Sequence, residues 1–320
     1  MIKWDDEERI VMKNVITGID KSGSYRFYLA ITTDLVETAR KIHDTTPLAS
    51  AGLGRVLTAT GLMGLLLKND TDKVTAIFKG DGPAKQILAT AWNDGRVKGF
   101  IANPYCDLPL NEKGKLDVGG SLGIGDLTVI TDLGLKEPYV GTIALVDGEI
   151  ADDLTAYYFI SEQRNTAVSL GIKVDTDYSI KAAGGMIIEM LPGSEEAAVD
   201  ALEAMIAGLP PITKLVEDCV TSNAGKSDNG VLNALMEKIF SGMPEEYAAV
   251  PLSYRELNWE CDCSKERLEK VLMTIGENDL REIIEEDGQA ELTCQFCLNK
   301  YNFNKKELTD ILSLVTGDSI

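Results

Sequence analysis

Residues 259–263 read W-E-C-D-C and residues 293–301 read T-C-Q-F-C-L-N-K-Y. Cys261 and Cys263 thus form one closely spaced pair, Cys294 and Cys297 a second. Four thiolates at such spacings are the donor set of one tetrahedral zinc ion, with iron–sulfur ligation the lesser competitor for the same sulfurs. A CxxC alone is weak evidence, because redox, metal and chance arrangements share it; a CxC in the same module makes the pattern specific. The same four sulfurs are also the raw material for disulfides.

Working outward, the segment between the pairs carries two short helical patterns, Leu268, Val271, Leu272 and Ile275, then Leu280, Ile283 and Ile284. A further short helix is expected after Cys297. So few apolar residues make a core smaller than an independent domain normally needs. Zinc is therefore expected to supply part of the folding free energy, on the order of 10 kcal/mol in comparable peptides. On oxidation each pair can close locally, and neither bond would span the intervening segment. Loss of the ion would then remove the long-range link. Spacing alone leaves two readings open: a permanently closed docking module, or a switch.

Upstream, the pattern is mixed. Val11–Ile16, Tyr25–Ile31, Val74–Phe78, Val97–Ile101, Leu127–Thr131, Val140–Val146, Ala167–Val174 and Met186–Met190 read as strands, with Asp81-Gly82, Asp94-Gly95 and Asp147-Gly148 as turns. Helices are expected from a Thr33 cap to His43, over Leu48–Lys68 behind Pro47, and over Asp152–Arg164. The alanines and glycines of the second predict close approach to its neighbours. Its most apolar part, Val56–Leu67, reads as a buried helix too short to span a bilayer. After Pro192-Gly193 the pattern turns helical: a first helix from Ser194 bears Val199, Leu202, Ile206 and Leu209, and Ile212–Val220 and Val231–Phe240 follow. The fold class is α+β: a largely antiparallel-sheet domain with packed helices over 1–192, a helical linker over 193–258 and a small zinc-binding module over 259–320.

The formal net charge is −20, which disfavours nucleic acid and keeps the protein soluble. Met1–Arg9 is polar and acidic rather than leader-like, so the expectation is a reducing cytoplasmic setting and no membrane. His43 is the one histidine, which rules out multi-histidine metal sites; it reads as an exposed or capping residue at a helix end. Gly225-Lys226-Ser227 lacks the upstream glycine and strand of a phosphate loop, and Gly119–Asp126 lacks the dinucleotide fingerprint. Ser161 has no adjacent base. Cys106 and Cys219 stand alone and read as buried small hydrophobes. No catalytic residue emerges, and the chain is not expected to be an enzyme.

Beyond this, the chain resembles the redox-regulated bacterial heat-shock holdase family of about 33 kilodaltons. The likeness is carried by W-E-C-D-C and C-Q-F-C followed by Tyr301 and Phe303, by I-I-E-E-D-G-Q-A-E at 283–291, by Y-V-G-T at 139–142 and by S-E-Q at 161–163. The resemblance implies an ATP-independent chaperone whose reduced form binds one zinc ion through Cys261, Cys263, Cys294 and Cys297 and is inactive. It implies that oxidation yields Cys261–Cys263 and Cys294–Cys297 disulfides, the latter first, releases zinc and disorders the linker. Unfolded or partly folded clients, a homodimer of the oxidised form and downstream ATP-dependent foldases are its implied partners. A zinc-containing thiol oxidoreductase and a constitutive zinc scaffold are the competing readings; the turn-and-strand pattern after Cys297 disfavours the first.

Overall fold

The computed structural model describes residues 13–316. The chain divides into two compact units, the first ending at Trp259 and the second beginning at Glu260. In chain order the first unit contains β1 (Val15–Asp20), β2 (Tyr25–Ile31), α1 (Thr33–His43), α2 (Pro47–Leu65), β3 (Lys73–Gly80), β4 (Gln86–Trp92) and β5 (Arg96–Ile101). Next come α3 (Val118–Leu122), β6 (Gly125–Asp132), β7 (Tyr139–Ala144), α4 (Ala151–Ser161), β8 (Thr166–Val174) and β9 (Ile180–Met190). It closes with α5 (Glu196–Ala207), α6 (Ile212–Ser222), α7 (Asp228–Phe240), β10 (Ala249–Arg255) and β11 (Asn258–Trp259).

Among the described residues these strands make a five-stranded sheet, β10-β1-β2-β9-β8, and a six-stranded sheet, β11-β5-β4-β3-β6-β7. All neighbours are antiparallel except β11 and β5. Helix α2 packs against β4 and β5 of one sheet and β8 and β9 of the other. Every residue of α2 but Pro47 and Arg55 is buried. Its glycines are the reason the sheets can come so close: a Cβ on Gly64 would lie 2.9 Å from the Trp92 carbonyl of β4, and one on Gly54 3.0 Å from Ile172 of β8. Helix α2 ends at Leu65 rather than Lys68; its whole 19 residues, unlike the stretch Val56–Leu67 taken alone, are long and apolar enough to cross a membrane, yet it is enclosed by its own protein.

The five-stranded sheet is covered on both faces. Val15, Ala30, Ala183 and Ile187 join the α2 core, while Ile16, Tyr25, Phe27, Leu29 and Met186 face a second core built with α5, α6 and α7. Phe240 of α7 anchors that layer, its ring 4.9 Å from Phe27 and 5.7 Å from Tyr25. Helix α5 is held least, with only Ala198 and Leu202 buried; Val199, Ile206 and Leu209 of the expected stripe are half-exposed.

Several boundaries differ from expectation. The first strand is Val15–Asp20 rather than Val11–Ile16, and Val11 lies outside the described residues. The cap of α1 is Thr32, not Thr33. The strand expected at Met186 begins at Ile180, because Gly184 and Gly185 lie within it, pressed by Val216 of α6 and Thr58 of α2. Strands β4 and β10 were not anticipated.

The second unit contains α8 (Lys265–Leu272), α9 (Glu277–Glu286), β12 (Gln289–Thr293), β13 (Lys300–Asn304) and α10 (Lys305–Thr316). Its core is Leu272, Leu280, Ile284, Phe303, Leu308, Ile311 and Leu312. The helices fall where the periodicity put them, but Val271 and Ile275 are 48% and 37% exposed and lie off the core face.

Candidate metal centre

Each cysteine pair is set by local structure. Cys261 and Cys263 follow β11 directly, and Ser264 ends that segment by capping α8, its hydroxyl accepting from the Arg267 N–H at 3.3 Å. Cys294 follows β12, and the chain turns back into β13 through a tight knuckle. In that knuckle the Leu298 N–H donates to the Cys294 carbonyl at 2.8 Å, and the Cys294 N–H donates to the Asn299 carbonyl at 2.9 Å. Leu298 sits at φ 57°, a left-handed position that only glycine takes without cost.

The two segments bring all four sulfurs within 4.8 Å of one another. Cys261 and Cys294 sulfurs are 3.7 Å apart, those of Cys263 and Cys297 3.3 Å. Metal–sulfur bonds of about 2.3 Å in a tetrahedron place sulfurs roughly 3.8 Å apart. The donor set therefore fits a single zinc-sized ion. Both of these contacts run across the two pairs, so proximity does not select neighbour-pair disulfides over crossed ones.

The surroundings favour thiolate at Cys294. The Cys261 thiol donates to Cys294, and the backbone N–H groups of Cys297 and Phe296 also face that sulfur; together they hold Cys294 down at about 4. Cys261, as the donor to Cys294 and a buried group, is raised well above the usual thiol range. Burial pushes Cys297 up to about 12, against the opposing N–H of Asn299. The charge thus gathers first on Cys294. On Cys263 the contact comes from a side chain: the Tyr301 hydroxyl lies 3.2 Å from its sulfur and 3.2 Å from its carbonyl oxygen.

Outside the centre, Lys265 ties α8 to α10 through Glu307 at 2.6 Å and lies 5.0 Å over the Phe303 ring. Asn304 and Glu307 cap α10 reciprocally, at 2.9 and 3.1 Å. Sequence reasoning did not assign roles to Tyr301 or Leu298. The available signal for Tyr301 was the alternation Tyr301, Phe303, which puts both rings on the inward side of β13.

The remaining candidates resolve into structural parts. Cys106 and Cys219 are buried in the first unit, and burial raises both thiols. His43 is buried, correcting the exposed reading: it ends α1 with Nε2 3.1 Å from the Gly99 carbonyl and packs edge-on to Trp259 at 5.9 Å. The Gly225–Ser227 loop joins two helices, with Ser227 capping α7. The Gly119–Asp126 run forms α3 and a turn at Gly123, φ 71°. Ser161 ends α4, its carbonyl accepting from the Tyr139 hydroxyl of β7 at 3.2 Å. The CxxC lies between two strands, not at the head of a helix as in thioredoxin-like redox sites.

Comparison with known proteins agrees with this architecture. The family described as Hsp33 protein matches residues 13–304. The chain is 44% identical over 300 residues to the 33 kDa chaperonin of Clostridium beijerinckii, covering 93% of this chain and 98% of that one. It is equally 44% identical over 299 residues to the 33 kDa chaperonin of Alkaliphilus metalliredigens, with coverage of 93% and 98%. The crystal structure of the 33 kDa chaperonin (heat shock protein 33 homolog) of Thermotoga maritima superposes with a TM-score of 0.81 at 33% identity, covering 96% of this chain and 100% of that one. Fold, cysteine centre and relatives converge, and the chain belongs to the Hsp33 family of redox-regulated 33 kDa chaperones, which are not enzymes.

Proposed function

We propose that this protein is a cytoplasmic, ATP-independent holdase that captures unfolding proteins under oxidative stress and is silent when reduced. The observation that carries the reading is a cluster of four convergent sulfurs in a unit with a very small apolar core. In the reduced state Cys261, Cys263, Cys294 and Cys297 hold one zinc ion per chain. Bound there, the ion neutralises thiolate charge and cross-links the two cysteine segments. Oxidation to Cys261–Cys263 and Cys294–Cys297 disulfides removes all four donors and leaves no bond between those segments.

The functional division is a client-binding region over 1–192, a redox-sensitive linker over 193–258 and the switch over 259–320. Two features support the linker as the part that lets go. Helix α5 fully buries only Ala198 and Leu202, with Ala201, Met205 and Ile206 half-buried against the same core. Together α5, α6 and α7 line an apolar groove of about 610 Å³ that includes Met205, Leu209, Leu215 and Ile239. Undocking would expose those side chains to clients, and the net charge of −20 would keep the complex in solution. The active species is a homodimer, and clients pass to ATP-dependent foldases when reducing conditions return. A centre that works as thiolate needs a reducing compartment, which supports the cytoplasm.

The test is light scattering of a heat-unfolding client with reduced, zinc-loaded protein and with peroxide-treated protein, zinc being quantified in both. Aggregation should be suppressed by the oxidised protein only. Equal protection by the two forms would rule the switch out.

A further inference from the structure

We propose that Tyr301 is a positioning residue of the thiol switch: its hydroxyl holds the Cys263 sulfur and slows that sulfur's attack on peroxide. The inference rests on the zinc-thiolate switch proposed above and adds to it a control on one cysteine pair.

The geometry is specific. The Tyr301 oxygen lies 3.2 Å from the Cys263 sulfur and 3.2 Å from the Cys263 carbonyl oxygen, so its one proton is shared between the carbonyl, which can only accept, and the sulfur. With the sulfur as thiolate, the hydroxyl is the donor and the sulfur the acceptor. The other three sulfurs are faced by backbone N–H groups, Cys263 for Cys261, Phe296 and Cys297 for Cys294, and Asn299 for Cys297. Those donors are fixtures of the backbone, whereas the Tyr301 contact at Cys263 comes from a side chain 38 residues away. Tyr301 is held in place by β13, where it pairs with Leu292, two residues before Cys294. Its hydroxyl therefore also ties the CxC segment to the hairpin that presents the CxxC.

A hydrogen bond to sulfur draws electron density from the lone pair that must attack, so it lowers nucleophilicity. In the uninhibited step the Cys263 sulfur attacks one peroxide oxygen, the O–O bond breaks, and sulfenic acid forms as hydroxide leaves. The Cys261 sulfur then attacks Cys263, forming the S–S bond and breaking S–O, and a second hydroxide leaves. With two protons the products are a disulfide and two waters; two sulfurs have each lost one electron and peroxide has gained two. Removing the Tyr301 hydroxyl frees the attacking lone pair of the first step and leaves the Cys294–Cys297 reaction untouched.

The experiment uses full-length, reduced, zinc-loaded protein, wild type and Tyr301→Phe, exposed to hydrogen peroxide, alkylated at intervals and read by mass spectrometry for each disulfide. Cys261–Cys263 closure should quicken by roughly tenfold in the variant, with the Cys294–Cys297 rate unchanged. Equal acceleration of both disulfides would mean the hydroxyl only holds the fold, and no change in either would mean it does nothing; each overturns the proposal. If Tyr301→Phe fails to hold zinc, wild-type sequence carrying 3-fluorotyrosine, a stronger hydroxyl donor, should close Cys261–Cys263 more slowly, and an unaltered rate overturns the proposal. A wild type that never binds zinc sinks the switch reading; a zinc-loaded wild type matched in both rates by the variant sinks this one alone.

Discussion

The first unit and the second are stabilised by different physics. In the first, α2 is enclosed between two sheets, and its glycines let Ala91 and Val97 reach the helix backbone. Burial on that scale is indifferent to redox conditions. In the second, Leu272, Leu280, Ile284 and a few residues of β13 and α10 make the whole apolar core, and four sulfurs close the remainder. On the switch proposed above, a unit so built depends on its sulfurs staying reduced. Between these extremes lies the layer of α5, α6 and α7, packed on the five-stranded sheet yet thinly anchored at α5. On that proposal the contrast gives one chain a permanent scaffold and a conditional part.

The largest expected effect breaks the contrast outright. Chelating the metal from reduced protein should abolish amide-exchange protection over 260–316 while β3 and β4 stay protected, since zinc supplies on the order of 10 kcal/mol to such units. Persistent protection in α8 to α10 would mean that the small core suffices without the clasp. A smaller effect, about 3–5 kcal/mol, is expected from Phe240→Ala, which removes the ring packed on Tyr25 and Phe27. Exchange in α7 should quicken and denaturant midpoints fall, with zinc affinity in a competition titration unchanged. A matching loss of zinc affinity would show that the layer and the clasp are one cooperative element. The smallest is a gain: Leu298→Gly relieves a left-handed residue whose side chain is 45% exposed, and should stabilise the second unit by about 1 kcal/mol. Thermal unfolding of that unit followed by tyrosine fluorescence would detect it, and an unchanged midpoint would place the strain elsewhere.

Much of this was legible along the chain, and the exceptions are instructive. Strand β4, Q-I-L-A-T-A-W, was missed because alanine is a poor strand former; Ala91 is there because α2 passes too close at Gly64 for a larger residue. Strand β10 was missed because Pro251 argues against a strand, yet β10 is an edge strand and Pro251 pairs with Gly18 at a bulge. The expected all-helical linker thus contains a strand that returns to β1, at the opposite end of the chain. His43 read as exposed because nothing local predicts Trp259 packing on it.

The sequence by itself determined the cysteine centre, the helices around it, the α+β class and, with His43 its one histidine, the exclusion of a multi-histidine metal site, because composition, spacing and periodicity are properties of the chain itself. Only the tertiary structure decided that α2 is walled in by two sheets, that β10 binds the far end of the first unit back to β1 and β11 joins β5, and that Tyr301 reaches Cys263. Those outcomes depend on contacts between residues distant in the chain, whose side chains carry no mark of their partners until the backbone brings them together.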